Sequence, residues 1–310
     1  MTIKNILVPL DGSQLSETVL PMAALLARQN HARLILLHVI EENPPEKVHG
    51  EHHLTNDQEA ANYLAQVSQS LSSDLEIERH VHTNAEKSVA QSIVAHSQEL
   101  KVDLIAMCAH GQSGLQKLIF GNIAQSVLNI GDVPVLLLSP EKEMKSETCN
   151  CQCILVPLDG NPDHEAGLDM AVELSQNCHA KLHLVMVIHK LSTLPGEQAA
   201  SAMLLPTATS VLLEMDCEEG EIYLAGLMGK LLDKNIPVTG EVQRGDPAKQ
   251  IVRAAREFQA DMIVLGTHSK TAMDAFWSGS VTPKIATQTH LPLLLVPVHD
   301  GQQPNENVIT

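Results

Sequence analysis

Aromatic residues are scarce: one Trp, two Tyr and three Phe make up 2% of 310 residues. Basic residues are short as well, with 20 Lys and Arg against 37 Asp and Glu and a net charge of −17. Proteins that read nucleic acid rely on basic surface and stacking rings, so these shortages remove it as an expected partner. They also mean that the cores are aliphatic, and that backbone N–H groups must hold any anionic ligand. No apolar run approaches the roughly 18 residues of a membrane helix, so no membrane partner is expected. The six cysteines do not make a secreted disulfide framework. Met1-Thr2-Ile3-Lys4 leads into a strand pattern without a signal peptide. The expectation is a cytoplasmic chain with reduced thiols. Catalytic signatures are missing too: no G-x-x-x-x-G-K-[ST], no G-x-G-x-x-G after the first strand, no G-x-S-x-G. No carboxylate pair or Ser/His/Asp set can be placed at one strand end, so an enzyme is not expected.

What is present is a long repeat. Residues 6–12 read ILVPLDG and residues 154–160 read it again, an offset of 148. The same offset carries His31-Ala32-Arg33-Leu34 onto His179-Ala180-Lys181-Leu182. Further on, Val102-Asp103-Leu104-Ile105 meets Ala260-Asp261-Met262-Ile263, and Pro134–Leu137 meets Pro292–Leu295, at an offset of 158. The second copy therefore holds ten extra residues between Ile188 and Ala260. A period this long marks duplicated domains rather than a solenoid. The boundaries are a first domain over 1–140, a polar linker over 141–152, a second domain over 153–298, and a polar tail over 299–310 read as disordered.

Each copy alternates apolar runs with helical periodicity. In the first, Asn5–Leu10, Arg33–Ile40, Leu75–His82, Leu104–Met107 and Val133–Leu138 read as strands buried on both faces. Leu15, Val19, Met22, Ala23 and Leu26 form one helix face. Ser88 and Asp246-Pro247 read as helix starts. The order βαβαβαβαβ predicts a doubly wound, five-stranded parallel sheet per copy, with helices on both faces.

Ligands in such sheets sit beyond the carboxyl ends of the strands. There the first copy reads Met107-Cys108-Ala109-His110-Gly111, nine residues, then Gly121-Asn122; the second reads Leu265-Gly266-Thr267-His268-Ser269, nine residues, then Gly279-Ser280. With the repeated VPLDG, this pattern resembles the universal stress protein family, over nearly the whole chain and twice. Nucleotide-binding members of that family carry G-x2-G-x9-G-[ST]. The spacing has a physical reason: glycines let the backbone approach phosphates, and the following helix start offers unpaired N–H groups. The resemblance implies strand order 3-2-1-4-5 and pairing through the last strands, here Pro134–Leu138 with Pro292–Val296 inside one chain, which covers an apolar edge. A homodimer of such chains is a further expectation. It implies ATP or a related adenine nucleotide, with Mg as a possible companion, near Pro9, Asp11 and Val39 and near Pro157, Asp159 and Val187. Both copies depart from the pattern. The first has Cys108 for the first Gly and Asn122 for Ser/Thr, while keeping Gly111 and Gly121. The second has Ser269 for the second Gly, but keeps Gly266, Gly279 and Ser280, and has Gly245 where the first has Lys87. The second copy therefore ranks as the better site. The alternatives are an interaction protein with degenerate sites, and a slow ATPase.

Other features carry two readings each. Asp11 and Asp159 are either ligand contacts or helix caps. His49, His52 and His53 are a zinc cluster or a solvated loop. Cys149, Cys151 and Cys153 are metal or redox groups, or exposed free thiols. Cys108 reads as a small buried hydrophobe, and His110 and His268 as a shared structural pair. Residues 199–213 carry no charge, and a helix there would be apolar nearly all round, requiring cover by a partner subunit or an apolar ligand. Gly220, Gly226 and Gly229 weaken the helix that follows.

Overall fold

The computed structural model describes residues 2–42, 47–83, 88–109, 121–139, 149–268 and 281–298. The first half runs β1 (Asn5–Pro9), α1 (Gln14–Glu17), α2 (Leu20–Asn30), β2 (Arg33–Val39), β3 (Lys47–Val48), β4 (Glu51–His52) and α3 (Asp57–Ser70). It continues with β5 (Ile77–His82), α4 (Val89–Glu99), β6 (Leu104–Cys108), α5 (Asn122–Ile130) and β7 (Val135–Leu138). The second half runs β8 (Cys153–Leu158), α6 (Ala166–Cys178), β9 (Lys181–Ile188), α7 (Gly196–Leu204) and α8 (Pro206–Asp233). Then come β10 (Val238–Arg244), α9 (Pro247–Glu257), β11 (Met262–His268), α10 (Val281–Ala286) and β12 (Leu293–Val298).

Ten strands form one sheet in the order β10-β9-β8-β11-β12-β7-β6-β1-β2-β5. Each half is parallel and follows the expected 3-2-1-4-5 order. The halves join where β12 pairs antiparallel with β7, Leu294 opposite Leu136. Each face of the sheet carries a core that draws side chains from both halves. Helices α2 and α6 meet on one face, where Asn177 Nδ2 donates to Asn30 Oδ1 at 2.6 Å. Ile3 N–H likewise donates across the halves to Glu173 Oε1, 2.7 Å away.

The repeated blocks have local causes. Asp103 Oδ2 accepts from Lys4 N and Asn5 N at 2.8 and 3.0 Å, and Asp261 Oδ2 accepts from Gln152 N and Cys153 N at 2.8 and 2.9 Å. Each aspartate thus fixes the start of the first strand of its half. His31 and His179 end α2 and α6 in the left-handed region, φ 51° and 55°. The next amides reach back as Ala32 N to Ala27 O and Ala180 N to Ser175 O, at 2.8 and 3.0 Å, closing the last turn. Ser88 caps α4 in a reciprocal pair with Gln91, and Asp246 caps α9 by accepting from Lys249 N at 3.0 Å.

The single helix expected through Leu15–Leu26 is two. Pro21 has no N–H to give and its ring opposes the carbonyl four residues back, so α1 stops at Glu17 and α2 starts with Pro21 in its first turn. The insertion also differs from expectation. It breaks at Leu205-Pro206 into α7 and α8, and α8 runs 28 residues through Gly220, Gly226 and Gly229. Packing overrides the glycine penalty. Leu213, Gly220, Leu224, Leu227 and Leu231 are buried, and α8 lies on β9 and β10. A Cβ at Gly220 would sit 3.0 Å from Met186 Sδ, so that glycine lets the helix approach the sheet. On its other side Met203, Leu204, Leu205, Val211 and Leu212 are exposed among the described residues.

Candidate functional site

The strand order of the first half reverses between β1 and β6, and ligands in open α/β sheets bind at that point. A cavity of about 690 Å³ lies there, lined by Pro9, Leu10 and Asp11 after β1, by Leu37, His38 and Val39 of β2, and by Met107 and Cys108 of β6. This is within the range of roughly 300–1,000 Å³ typical of small-molecule sites. Val89 and Ile93 of α4 add apolar wall, and Gly121–Ala124 bring the start of α5 to it.

That helix start is built for an anion. Gly121 is the N-cap in an extended conformation (φ −62°, ψ 155°) and makes no side-chain cap. The first intrahelical bond is Gln125 N to Gly121 O at 2.9 Å. The amides of Asn122, Ile123 and Ala124 thus precede any helical acceptor and carry the positive end of the helix dipole. Side-chain charge opposes an anion: the lining contains Asp11 and Glu41 and, among the described residues, no Lys or Arg.

Asp11 is neither a direct helix cap nor open to the cavity alone. Its Oδ1 accepts from Ser13 N (2.9 Å) and Ser13 Oγ (2.6 Å), and Ser13 caps α1. Its Oδ2 lies 3.4 Å from His49 Nε2. His49 sits at the tip of the β3–β4 hairpin, whose His49-Gly50 turn has φ 51° and 87°, the pattern of a tight hairpin turn. The hairpin straps the cavity mouth. Glu51 Oε1 accepts from Gln14 N at 3.1 Å. A Cβ at Gly12 (φ 90°) would fall 2.9 Å from Leu54 Cδ1, so glycine serves both the backbone there and the contact.

Two lining residues were not anticipated in this cavity: His38 was not singled out, and His53 was read as part of a zinc cluster or a solvated loop. His38 and His53 are buried, and the Leu54 backbone hydrogen-bonds the His38 ring. His38 Nδ1 faces the Leu10 carbonyl at 2.8 Å. His53 Nε2 lies 3.8 Å from Glu41 Oε1. A sequence signal existed for His38. The 148 offset sets it against Met186, a polar ring in a run otherwise apolar. Nothing marked His53 except its neighbours. Burial pushes the His38 imidazole below the usual histidine range, partly opposed by the Leu10 carbonyl. Burial likewise lowers His96 and His183, the latter opposed by Glu241. Such groups are neutral when folded and take up protons more readily when unfolded. Their stabilising effect is complete above the unfolded value of about 6.5 and is lost as pH falls below it. Urea unfolding is expected to show stability dropping between pH 7 and 5, with His38 contributing at most about 1.4 kcal/mol per pH unit. A His38→Phe variant with an unchanged slope would remove His38 from that account.

In the second half Asp159 is held locally, as Asp11 is in the first. Asp159 Oδ1 accepts from Asn161 N at 3.0 Å, and Asp159 Oδ2 pairs with His164 Nδ1 at 2.5 Å. Pro157 and Val187 stand in β8 and β9 as expected. Gly245 has φ 144°, and a Cβ there would meet Gln250 Nε2 at 2.9 Å. Gly266 has a packing role. A Cβ on it would come within 3.0 Å of His164 O, and one on Gly167 within 2.8 Å of Gly266 N. The paired glycines seat α6 on β11. In the first half their equivalents are Cys108 and Val19; Thr18 Oγ1 lies 3.3 Å from Cys108 Sγ. Gly167→Ala is expected to destabilise by roughly 1–3 kcal/mol, as an overpacked contact does. Chemical denaturation reads it, and a neutral result would show that α6 can retreat freely. Gly111, His110, Ser269, Gly279 and Ser280 lie outside the described residues, as does the side chain of His268.

The zinc reading fails geometrically. His49 faces Asp11, His53 faces Glu41, and His52 lies 3.8 Å from Glu59 Oε2, so the three rings diverge. Among the described residues no three His, Cys, Asp or Glu side chains are grouped to hold a metal. The exposed-thiol reading is also corrected: Cys151 and Cys153 are buried and Cys149 half-buried, because the chain is already entering β8. Cys108 is the buried small residue expected, and burial pushes its thiol up to about 11.

Fold and cavity together define a duplicated doubly wound α/β protein with a cavity at the switch point of its first half. The sequence pattern of the universal stress protein family matches residues 2–139 and 151–297, and the chain belongs to that family, in tandem form. It is similar to a universal stress protein of Mycolicibacterium smegmatis, 23% identical over 299 residues, 94% of this chain and 96% of that one. Universal stress protein MJ0531 of Methanocaldococcus jannaschii is 27% identical over 143 residues, 46% of this chain and 80% of its own. The crystal structure of a universal stress protein from Archaeoglobus fulgidus shares the fold. Its TM-score is 0.68 at 17% identity, covering 96% of this chain and all of that one. No helix among the described residues is long and apolar enough to cross a membrane.

Proposed function

We propose that this chain is a cytoplasmic stress-response regulator that binds ATP or a related adenine nucleotide in the first-half cavity, and that it acts by binding rather than by catalysis. The observation that carries this reading is the meeting of an apolar cavity of about 690 Å³ with the side-chain-free N-cap of α5. The apolar wall suits a base, and the amides of residues 122–124 suit a phosphate. His38 and His53 add two buried imidazole rings to the lining. With Asp11 and Glu41 nearby and a net charge of −17, a Mg-bound nucleotide enters at lower electrostatic cost than a free one. The second half, which keeps Gly266, Gly279 and Ser280 of the motif, is proposed as a further site for the same ligand. Heat-denatured protein is expected to release an adenine nucleotide. ATP with magnesium at about 100 times its dissociation constant is expected to stabilise by roughly 2.7 kcal/mol, or about 5–10 °C. An empty extract and no shift would favour an interaction protein without nucleotide. Phosphate release above background would favour an ATPase.

A further inference from the structure

Cys151 and Cys178 lie far apart in the sequence and meet in the fold. Cys151 stands just before β8 and is 5% exposed, whereas Cys178 is the last residue of α6 and is half-buried. The backbone brings them together. Cys153 is opposite Lys181 in the parallel β8–β9 pair, and Lys181 N donates to Gln152 O at 2.9 Å. Two residues earlier on both strands, Cys151 comes level with His179, the residue that caps α6 directly after Cys178. Neighbouring strands run about 4.8 Å apart, and a disulfide spans Cα atoms roughly 4.4–6.8 Å apart. The side chains touch as well: the Cys151 thiol donates a hydrogen bond to the Cys178 sulfur. Both pack on the core of that face, as does Cys149.

We propose that Cys151 and Cys178 are a peroxide-sensitive pair that closes to a disulfide, with Cys178 as the attacking sulfur and Cys151 as the resolving one. The chemistry balances in two steps. The Cys178 thiolate attacks one oxygen of hydrogen peroxide and the O–O bond breaks. A sulfenic acid forms, and the departing hydroxide takes up the proton that Cys178 had released. The Cys151 sulfur then attacks the sulfenic sulfur, the S–O bond breaks, and water leaves with the Cys151 proton. The two thiols give up two electrons, and one peroxide becomes two waters. The roles follow from accessibility and from the hydrogen bond. Cys178 is the more exposed of the two, and the bond from Cys151 holds its thiol below the usual range, which favours the nucleophilic thiolate. The same bond raises Cys151, and burial raises Cys108, Cys149, Cys153 and Cys217. The place matters for the fold. Asn177, next to Cys178, makes the α6–α2 contact between the halves, so the new bond ties the entry of β8 to the end of α6 that touches the other half.

Treating the reduced full-length protein with excess hydrogen peroxide, then alkylating it under denaturing conditions, tests this by mass. Two of the six thiols are expected to escape alkylation, with a loss of about 2 Da, and peptide mapping is expected to link Cys151 to Cys178. Dithiothreitol is expected to restore all six. Cys178→Ser is expected to form no disulfide, and Cys151→Ala is expected to stop at a Cys178 sulfenic acid that dimedone traps. Circular dichroism verifies that each variant is folded, and the wild-type map decides the pairing by itself where one is not. Wild-type protein that keeps six alkylatable thiols after peroxide would overturn the proposal. So would a bridge from Cys149 in place of the Cys151–Cys178 link, or a disulfide in folded Cys178→Ser.

Discussion

Leu136→Ala and Leu294→Ala are each expected to cost about 3–5 kcal/mol of stability, the upper part of the range for a buried leucine truncation. Both side chains are fully buried and their residues are directly opposed where β7 meets β12. This is the antiparallel seam of an otherwise parallel sheet, in the middle of ten strands. A cavity there has sheet on both sides and helices above, so little can collapse into it. The two losses should not add. Contacting residues typically couple by about 0.5–3 kcal/mol, because the second truncation enlarges a cavity that already exists. Because both cores draw on both halves, wild-type unfolding is expected to be a single urea transition. Two separate transitions in the wild type, or strict additivity of the pair, would show that the seam does not bind the halves into one cooperative unit.

Gly121→Asp is expected to separate stability from ligand binding. Gly121 is extended at φ −62°, a conformation any residue adopts, and its missing side chain leaves α5 uncapped. Aspartate is a good N-cap and is favoured at the positive end of the helix dipole, so the folded protein should gain a few tenths of a kcal/mol. The same carboxylate takes the amides proposed for phosphate and adds like charge to a lining that already holds Asp11 and Glu41. Nucleotide affinity should fall on the order of 100-fold, about 2.7 kcal/mol. Differential scanning fluorimetry reads both effects: a slightly higher melting temperature without ligand, and a shift with ATP and magnesium that largely disappears. Retention of the full shift would place the nucleotide away from α5.

The two variants test different kinds of information. Duplication, strand order and the last-strand pairing were legible because they follow from period, apolar runs and a family resemblance. Asp103, Asp261, His31 and His179 recur in the sequence because each performs a local backbone task in both halves. Pro21 was legible in principle, as a proline inside an apolar helix pattern, yet the periodicity of Leu15–Leu26 concealed the break.

The packing role of Gly266 was not legible. Counting glycines favours the second copy, where Gly266 survives. In three dimensions Gly266 and Gly167 are small so that α6 can sit on β11, a packing demand that a motif cannot distinguish from a ligand's demand. His53 joins the cavity only because the β3–β4 hairpin folds back over β1. The burial of Cys151 and Cys153 was also decided by tertiary contacts. A periodic pattern dictates which residues must leave water within one element, and so determines the elements and their order. Which side chains then share one cavity depends on how close the elements approach, and that distance is set by residues far apart in the chain.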